Sequence, residues 1–287
     1  MKILSFPNPA NDLLVDRADA AFPQPDAPSS YALPAKLYTL TTMPPRKNSP
    51  IVPAVHPFDR DHGTDTSGLI PGTTIAQDTA HKHEDLTAYY GIAPSILEAL
   101  ADLWLQQLHP QRPIEQTVFL DVGAGKGRAV LLASQLPFLR VEGIELNPEL
   151  ARVATRNIEL WHNDPTAEPL APIVLHNADA TTHPLPSAPT LAFLFHPFEA
   201  MLLRRFLRHV EQSQAADSQP FDLIYANAEH DSLLDHDPCF TRIWLGRVPM
   251  SPDDHLADLA EIAQQAEYGS TGDELCAIYR FHPRGSK

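Results

Sequence analysis

Long apolar runs and cysteines are both scarce in this sequence. No stretch reaches the roughly eighteen apolar residues of a membrane-spanning helix, and Met1 to Pro7 is too short and too broken by proline for a signal peptide. The two cysteines, Cys239 and Cys276, are too few for a disulfide framework and lack a metal-like spacing. We therefore expect a cytoplasmic protein whose cysteines are reduced core residues.

Positive charge is scarce as well, with 21 Lys and Arg against 36 Asp and Glu and a formal net charge of −15. A broad nucleic-acid surface needs clustered Lys and Arg to neutralise phosphates. The composition therefore favours a protein or small molecule over nucleic acid as a partner, although a local basic cleft stays compatible with it.

Proline, by contrast, is abundant and concentrated at one end. Eleven of the 29 prolines fall within the first fifty-eight residues and interrupt every regular pattern there. We predict three parts: a proline-rich N-terminal arm at 1–58, a lid with an N-terminal helical segment at 59–112, and the main domain at 113–287.

The most informative stretch is an apolar strand that begins at Val118, passes through a glycine-rich turn and continues into a helical pattern. The dinucleotide fingerprint fails because Arg128 stands where its third glycine should be, and the phosphate loop fails because Lys126 is not followed by Ser or Thr. The turn has three glycines that allow a tight backbone and room for a ligand: Gly123, Gly125 and Gly127.

With Asp121 in front of these glycines, the segment resembles motif I of the class I S-adenosylmethionine-dependent methyltransferases. That cofactor carries a sulfonium and an ammonium but no phosphate, so a carboxylate is compatible with it. Glu145 follows twenty positions after Gly125, at the end of the next strand, where a carboxylate can accept hydrogen bonds from ribose hydroxyls. An ordinary strand-to-helix turn and an exposed strand-end Glu are the alternatives.

Two helix starts are also indicated. Asn147 and Pro148 are a good N-cap and first residue for a helix that reaches about Trp161. Ser95 and Glu98 have the spacing of a capping box at the head of an apolar helix.

Upstream of the glycines, the spacing of Asp59, Gly63 and Asp65-Thr-Ser-Gly68 is similar to a segment in a bacterial branch of these methyltransferases, itself distantly similar to the non-SET histone lysine methyltransferases. The resemblance implies a lid over the cofactor, with Thr66 and Ser67 near its methionine carboxylate. The resemblance extends to Tyr90, which can reach the cofactor. The alternative for Thr66 and Ser67 is a plain turn, and the alternative for Tyr90 is an apolar cover.

Asp179 follows the third strand, where the resemblance implies an acceptor for the adenine amino group, with Ala180 as a small apolar floor. A turn-forming Asp is the alternative. His81 and His83 suggest a metal, but they are two residues apart and face different ways on a helix. We therefore predict no metal site.

The fourth strand ends at His196-Pro197-Phe198, where many relatives carry Asn-Pro-Phe. Neutral imidazole can accept one hydrogen bond and act as a base, so His196 is the candidate catalytic residue, with a structural His as the alternative. Pro197 and Phe198 are expected to wall the methyl site, and Asn227, just past the fifth strand, to shape the substrate pocket.

Seven predicted strands with alternating helices indicate a doubly wound α/β sheet. The resemblance implies the Rossmann-like methyltransferase fold, strand order 3-2-1-4-5-7-6 with the last strand antiparallel, and methyl transfer to an unidentified nitrogen or oxygen acceptor. Two rival functions stay open, a non-catalytic protein that binds S-adenosylmethionine or S-adenosylhomocysteine and a nucleotide-dependent oxidoreductase. Oligomeric state cannot be read from the sequence.

Overall fold

The computed structural model describes residues 55–76, 79, 81, 83–216, 218–263 and 270–284. Residues 1–54, nearly all of the predicted proline-rich arm, lie outside the described residues. The three-part division of the chain therefore stays a prediction.

Within the described residues, seven strands form one sheet in the order β3-β2-β1-β4-β5-β7-β6. The strands are β1 (Val118–Val122), β2 (Arg140–Glu145), β3 (Ile173–Asn177), β4 (Thr190–Phe195), β5 (Phe221–Ala226), β6 (Phe240–Pro249) and β7 (Asp273–Phe281). The first five run parallel, and β7 is antiparallel to both β5 and β6. The predicted fold class and strand order are confirmed.

Eight α-helices accompany these strands in the part of the chain that the structure describes. They are α1 (Pro57–His62), α2 (Gly72–Ile75), α3 (Pro94–Gln106), α4 (Arg128–Ser134), α5 (Pro148–Asn163), α6 (Ala200–Ala216), α7 (Asp231–Asp235) and α8 (Pro252–Ile262). None of these helices has both the length and the apolar character needed to cross a membrane.

Apolar side chains cover both faces of the sheet, as the pattern of fully apolar strands predicts. Along β1, Phe119 packs into a core that includes Trp104 of α3. The next residue, Leu120, points to the opposite face and into a core that includes Phe206 of α6. Each of these side chains is at most 2% exposed, and complete burial of such a side chain is worth about 1.5–3 kcal/mol.

The two predicted helix starts have different outcomes. Asn147 caps α5 as expected, because its side-chain oxygen accepts from the backbone N–H groups of Glu149 and Leu150 at 2.9 and 3.1 Å. The capping box at Ser95 is wrong, since α3 begins at Pro94 without a side-chain cap. The Ser95 hydroxyl instead accepts from the backbone N–H of Ser251, at the start of α8, at 2.8 Å.

The sheet order reverses direction at β1, which lies between β2 on one side and β4 on the other. From β1 the chain crosses through α4 to β2, and it later returns past β1 to form β4. Such a reversal opens a crevice at the carboxyl ends of the central strands, where α/β proteins bind their ligands.

Candidate active site

The turn after β1 has backbone conformations that favour glycine. Gly123, Gly125 and Gly127 have φ values of +80°, +55° and +91°. A Cβ atom on Gly123 would lie 2.5 Å from the Cβ of Pro197, and one on Gly125 would lie 2.2 Å from the ring of Tyr89. The glycines therefore let the loop pass close beneath the segments that carry Pro197 and Tyr89.

A cleft lies above this loop, at the carboxyl ends of β1, β2 and β4. Gly123 and Gly125 line it directly, whereas Gly127 lies behind them at the start of α4. Most of the wall is apolar and comes from Ile75, Leu86, Leu146, Leu150, Phe193, Phe195, Pro197 and Phe198. The predicted methyl-site residues Pro197 and Phe198 are thus among the residues that form this wall.

Two buried carboxylates belong to the lining of this cleft. Asp121 is 3% exposed and its carboxylate receives no hydrogen bond from the described residues. Burial, followed by the nearby charge of Glu145, raises the pKa of Asp121 to about 8. The charged form of Asp121 therefore has no counter-charge close to it among the described residues.

Glu145 is held in place by the glycine loop. Its two carboxylate oxygens accept from the backbone N–H groups of Gly125 and Asn147, each at 2.7 Å. Burial raises its pKa, and the backbone hydrogen bonds oppose that shift. Each oxygen keeps a free lone pair, so the carboxylate can accept further hydrogen bonds from a ligand.

Thr66 and Ser67 lie in a buried cluster around Asp59. Both hydroxyls donate to the carboxylate of Asp59, at 2.6 and 2.5 Å. Burial would raise the pKa of Asp59, but hydrogen bonds from Ser67, Thr64 and Thr66 lower it overall. The structure places these two hydroxyls on Asp59 and not in the wall of the cleft.

Arg128 joins this cluster to the cleft. Its guanidinium is almost fully buried, donates to the hydroxyl of Thr66 at 2.8 Å, and lies 4.0 and 3.9 Å from the carboxylates of Asp59 and Glu261. It also donates to the backbone carbonyl of Gly91 at 3.2 Å. Sequence reasoning missed this role because Arg128 follows the glycines as an ordinary helix residue, and its partners lie far away along the chain.

Tyr90 lines the cleft, and its hydroxyl donates to Asp258 of α8. Burial and this hydrogen bond raise the pKa of the phenol. Its neighbour Tyr89 covers Gly125 and donates to the backbone carbonyl of Thr66 at 2.6 Å. The segment that carries both tyrosines is therefore tied to the loop 63–68 and to α8.

Asp179 and Ala180 are not part of the lining of the cleft. Asp179 accepts from the backbone N–H of Thr181 at 2.8 Å, and its other oxygen lies 2.8 Å from the Nε2 of His81. Ala180 is a buried core residue. The proposed adenine contact of Asp179 would share its carboxylate with His81.

His196 lies at the end of β4 in a strained backbone conformation, with φ +42°. Its Nδ1 is 2.9 Å from the hydroxyl of Tyr225, and its Nε2 is 3.7 Å from a carboxylate oxygen of Glu229. Burial lowers the pKa of the imidazole, although Glu229 opposes the shift. His196 therefore stays neutral near pH 7.

His196 and Asn227 face a second cavity that adjoins the cleft and shares Leu86, Tyr90 and Phe195 with it. We call it the acidic pocket because five carboxylates line it: Glu199, Glu229, Asp258, Asp273 and Glu274. Arg247, its cationic residue, is paired with Asp273 at 2.6 Å. Burial and the charge of Asp258 raise the pKa of Glu274 to about 7. Sequence reasoning did not foresee this concentration of acidic groups.

No family model matches the chain, and no curated protein matches it. Solved structures are similar to it at low identity. They include a ribosomal protein L11 methylase from Lactobacillus delbrueckii subsp. bulgaricus, at 15% identity and a TM-score of 0.39, covering 64% of this chain and 77% of that one. A putative RNA methyltransferase from Pyrococcus horikoshii matches at 16% identity and a TM-score of 0.42, covering 68% and 83%.

A third structure is a variant of the protein MtNAS in complex with S-adenosylmethionine, at 16% identity and a TM-score of 0.41. The match covers 66% of this chain and 63% of that one. The seven-stranded α/β sheet, with its strand order and antiparallel β7, is consistent with a Rossmann-like methyltransferase fold.

Proposed function

We propose that this protein binds S-adenosylmethionine in the cleft and transfers its methyl group to an acceptor in the acidic pocket. The observation that carries the proposal is the pair of buried carboxylates, Asp121 and Glu145, beside the glycine loop at the sheet reversal. The positive charges of the cofactor complement this pair, whereas a pyrophosphate would be repelled by it.

The described residues fit the cofactor. Glu145 is fixed by two backbone N–H groups and keeps lone pairs for the ribose hydroxyls. Asp121 has no counter-charge of its own, and a cationic group of the cofactor would provide one. Asp179 is our candidate for the adenine amino group. Thr66 and Ser67 stay candidates for the methionine carboxylate, but their hydroxyls would first have to leave Asp59.

The bound cofactor would supply a methyl group that its sulfonium already makes electrophilic. The work of the protein is then to align the acceptor and to exclude water, effects that together can be worth about 7–11 kcal/mol. Phe195 and Tyr90 border both the cleft and the acidic pocket, so they are placed to separate the reacting groups from solvent.

The acidic pocket supports an acceptor that is neutral or cationic, from a protein or a small molecule. Phosphate groups would meet five carboxylates there. We keep His196 as the catalytic residue, since its imidazole faces this pocket. On an identified acceptor, His196→Ala is expected to lose methyl transfer and to keep S-adenosylhomocysteine binding. Full activity of this variant would contradict the assignment.

Calorimetric titration with S-adenosylmethionine, S-adenosylhomocysteine and NAD tests the cofactor. We expect the first two to bind and NAD not to bind. Glu145→Gln should weaken binding by at least about tenfold, because an amide accepts fewer hydrogen bonds than a carboxylate and carries no charge. Glu149→Gln is the matched control, since this residue lies exposed on α5 and pairs with Arg152.

Absence of binding by both sulfur ligands would overturn the proposal, and tight NAD binding would support the oxidoreductase instead. Binding without turnover on any neutral or cationic acceptor would favour the non-catalytic rival. Thermal unfolding of each variant separates loss of binding from loss of the fold.

A further inference from the structure

Three potential metal ligands converge beside the acidic pocket, and two of them, His196 and Glu199, line it. One ligand atom from each of His196, Glu199 and His230 lies within 4.8 Å of the other two. His230 Nε2 and Glu199 Oε2 are 3.0 Å apart. Two imidazoles and a carboxylate in this arrangement form a donor set that divalent transition metals use.

The fold brings these side chains together from two neighbouring strands. His196 follows β4 and Glu199 precedes α6, while His230 lies between β5 and α7. Because β4 and β5 are parallel neighbours, their carboxyl ends lie side by side. His196 and Asn227, the residues directly after these two strands, both have positive φ, at +42° and +48°. Strain of this kind is common at functional sites.

A second layer orients His196. The Tyr225 hydroxyl lies 2.9 Å from Nδ1 of the imidazole, which leaves Nε2 as the nitrogen for a ligand. Metal-bound histidines in proteins are characteristically fixed in this way through their other ring nitrogen. Glu229 Oε2, 3.7 Å from His196 Nε2, adds a further carboxylate within reach.

We infer that His196, Glu199 and His230 form a binding site for a divalent transition metal ion of the Zn²⁺ class. Nitrogen ligands favour such ions over Mg²⁺ and Ca²⁺, which prefer oxygen. Zinc at about 2.0–2.1 Å from each ligand needs ligand atoms roughly 3.4 Å apart. The side chains of Glu199 and His230 are 43% and 23% exposed, so they have room to move apart from 3.0 Å to that separation.

A second cluster, Glu211, Asp237 and Cys239, also has ligand atoms within 4.8 Å of one another. It is the weaker candidate, because the guanidinium of Arg284 already lies 3.0 Å from Glu211. A cation in that position competes with a metal ion.

The metal site can be tested without reference to methyl transfer, but its use rests on the proposed function. A divalent ion beside the cleft would bind an acceptor hydroxyl or amine and lower its pKa. His196 would then serve as a metal ligand, and the ion would activate the acceptor.

Titration of the chelator-treated full chain with Zn²⁺, followed by calorimetry, and with Co²⁺, followed by visible absorption, tests the site. We expect one ion per chain and the visible bands of a nitrogen-ligated Co²⁺. Glu199→Gln and His230→Gln should each weaken Zn²⁺ binding by at least about tenfold. Tyr225→Phe, which keeps all three ligands, should weaken it to a smaller extent.

Two controls locate the ion. His162→Gln removes an exposed histidine of α5 and should leave binding unchanged. Cys239→Ser removes a ligand of the second cluster and should also leave it unchanged. No binding, or binding lost in Cys239→Ser and retained in Glu199→Gln and His230→Gln, would overturn the inference. S-adenosylmethionine binding without Zn²⁺ binding refutes the metal site alone, and the reverse result refutes the proposed function alone.

Discussion

Asp121 is the residue whose surroundings differ most from those of an ordinary carboxylate. It is buried, it lacks a hydrogen bond from the described residues, and it lies near a second buried carboxylate, Glu145. A buried, unpaired charge destabilises a folded protein. Such a cost is typical of a site that is completed by its ligand, and a cationic ligand would remove it.

This leads to a prediction about stability and pH. Since the pKa of Asp121 rises from 3.8 to about 8 on folding, the native state binds more protons than the unfolded state between these values. The contribution of Asp121 to stability is therefore complete below about pH 4 and is lost as the pH rises to about 8. Asp121→Asn, which stays neutral, should be more stable than the natural chain at pH 8, by up to about a few kcal/mol.

Urea unfolding at pH 5 and pH 8, without ligand, measures this effect. The raised pKa of Glu145 gives a dependence of the same sign, so part of the slope should persist in the variant. An Asp121→Asn protein that is less stable than the natural chain at pH 8 would contradict the prediction.

At the scale of elements, the cluster around Asp59 attaches α1 and the loop 63–68 to α4. The loop 63–68 carries the hydroxyls, α1 carries Asp59, and α4 contributes Arg128. Tyr89 extends the connection to the glycine loop, because its ring covers Gly125 and its hydroxyl donates a hydrogen bond to the backbone carbonyl of Thr66. Rearrangement of this cluster would therefore affect the cleft above the glycine loop.

We predict that Arg128→Met destabilises the protein by about 3–5 kcal/mol, because it removes the buried cation near the carboxylates of Asp59 and Glu261. Arg152→Met is the matched control. It breaks an exposed pair with Glu149 on α5 and should not change stability measurably. Urea unfolding of both variants provides the comparison.

Equal stability of the two arginine variants would mean that the buried cluster does not stabilise the fold through Arg128. Adding Asp59→Asn to Arg128→Met should recover part of the loss, since it removes one of the charges left without a partner. No recovery in the double variant would assign the loss to packing of the arginine side chain.

At the scale of the whole molecule, charge separates the possible acceptors. The chain has a net charge of −15, and the acidic pocket adds five carboxylates at the proposed acceptor site. We predict no binding to single- or double-stranded DNA or RNA at about 50 mM salt, where electrostatic binding is strong. Fluorescence anisotropy measures it. Salt-dependent micromolar binding would contradict the preference for a protein or small-molecule acceptor.

Much of the fold follows from local patterns. The apolar strands, the alternation with helices and the Asn147 cap are encoded by neighbouring residues, so they could be predicted. The prediction of a capping box at Ser95 failed because the Ser95 hydroxyl has a tertiary partner. It accepts a hydrogen bond from the backbone N–H of Ser251 and does not cap its own helix. A tertiary hydrogen bond overrides the local capping preference of a Ser hydroxyl when it is the more favourable interaction.

The sequence by itself determined the sheet, the glycine turn and the placing of Asp121 and Glu145 at strand ends, because each depends on residues close together in the chain. Only the tertiary structure decided that Arg128 meets Asp59 and that His196, Glu199 and His230 converge. These contacts join segments far apart in sequence, and no periodic pattern records them. Their geometry depends on which strands are neighbours in the sheet and on the electrostatic pairing of buried charges in the low-dielectric interior.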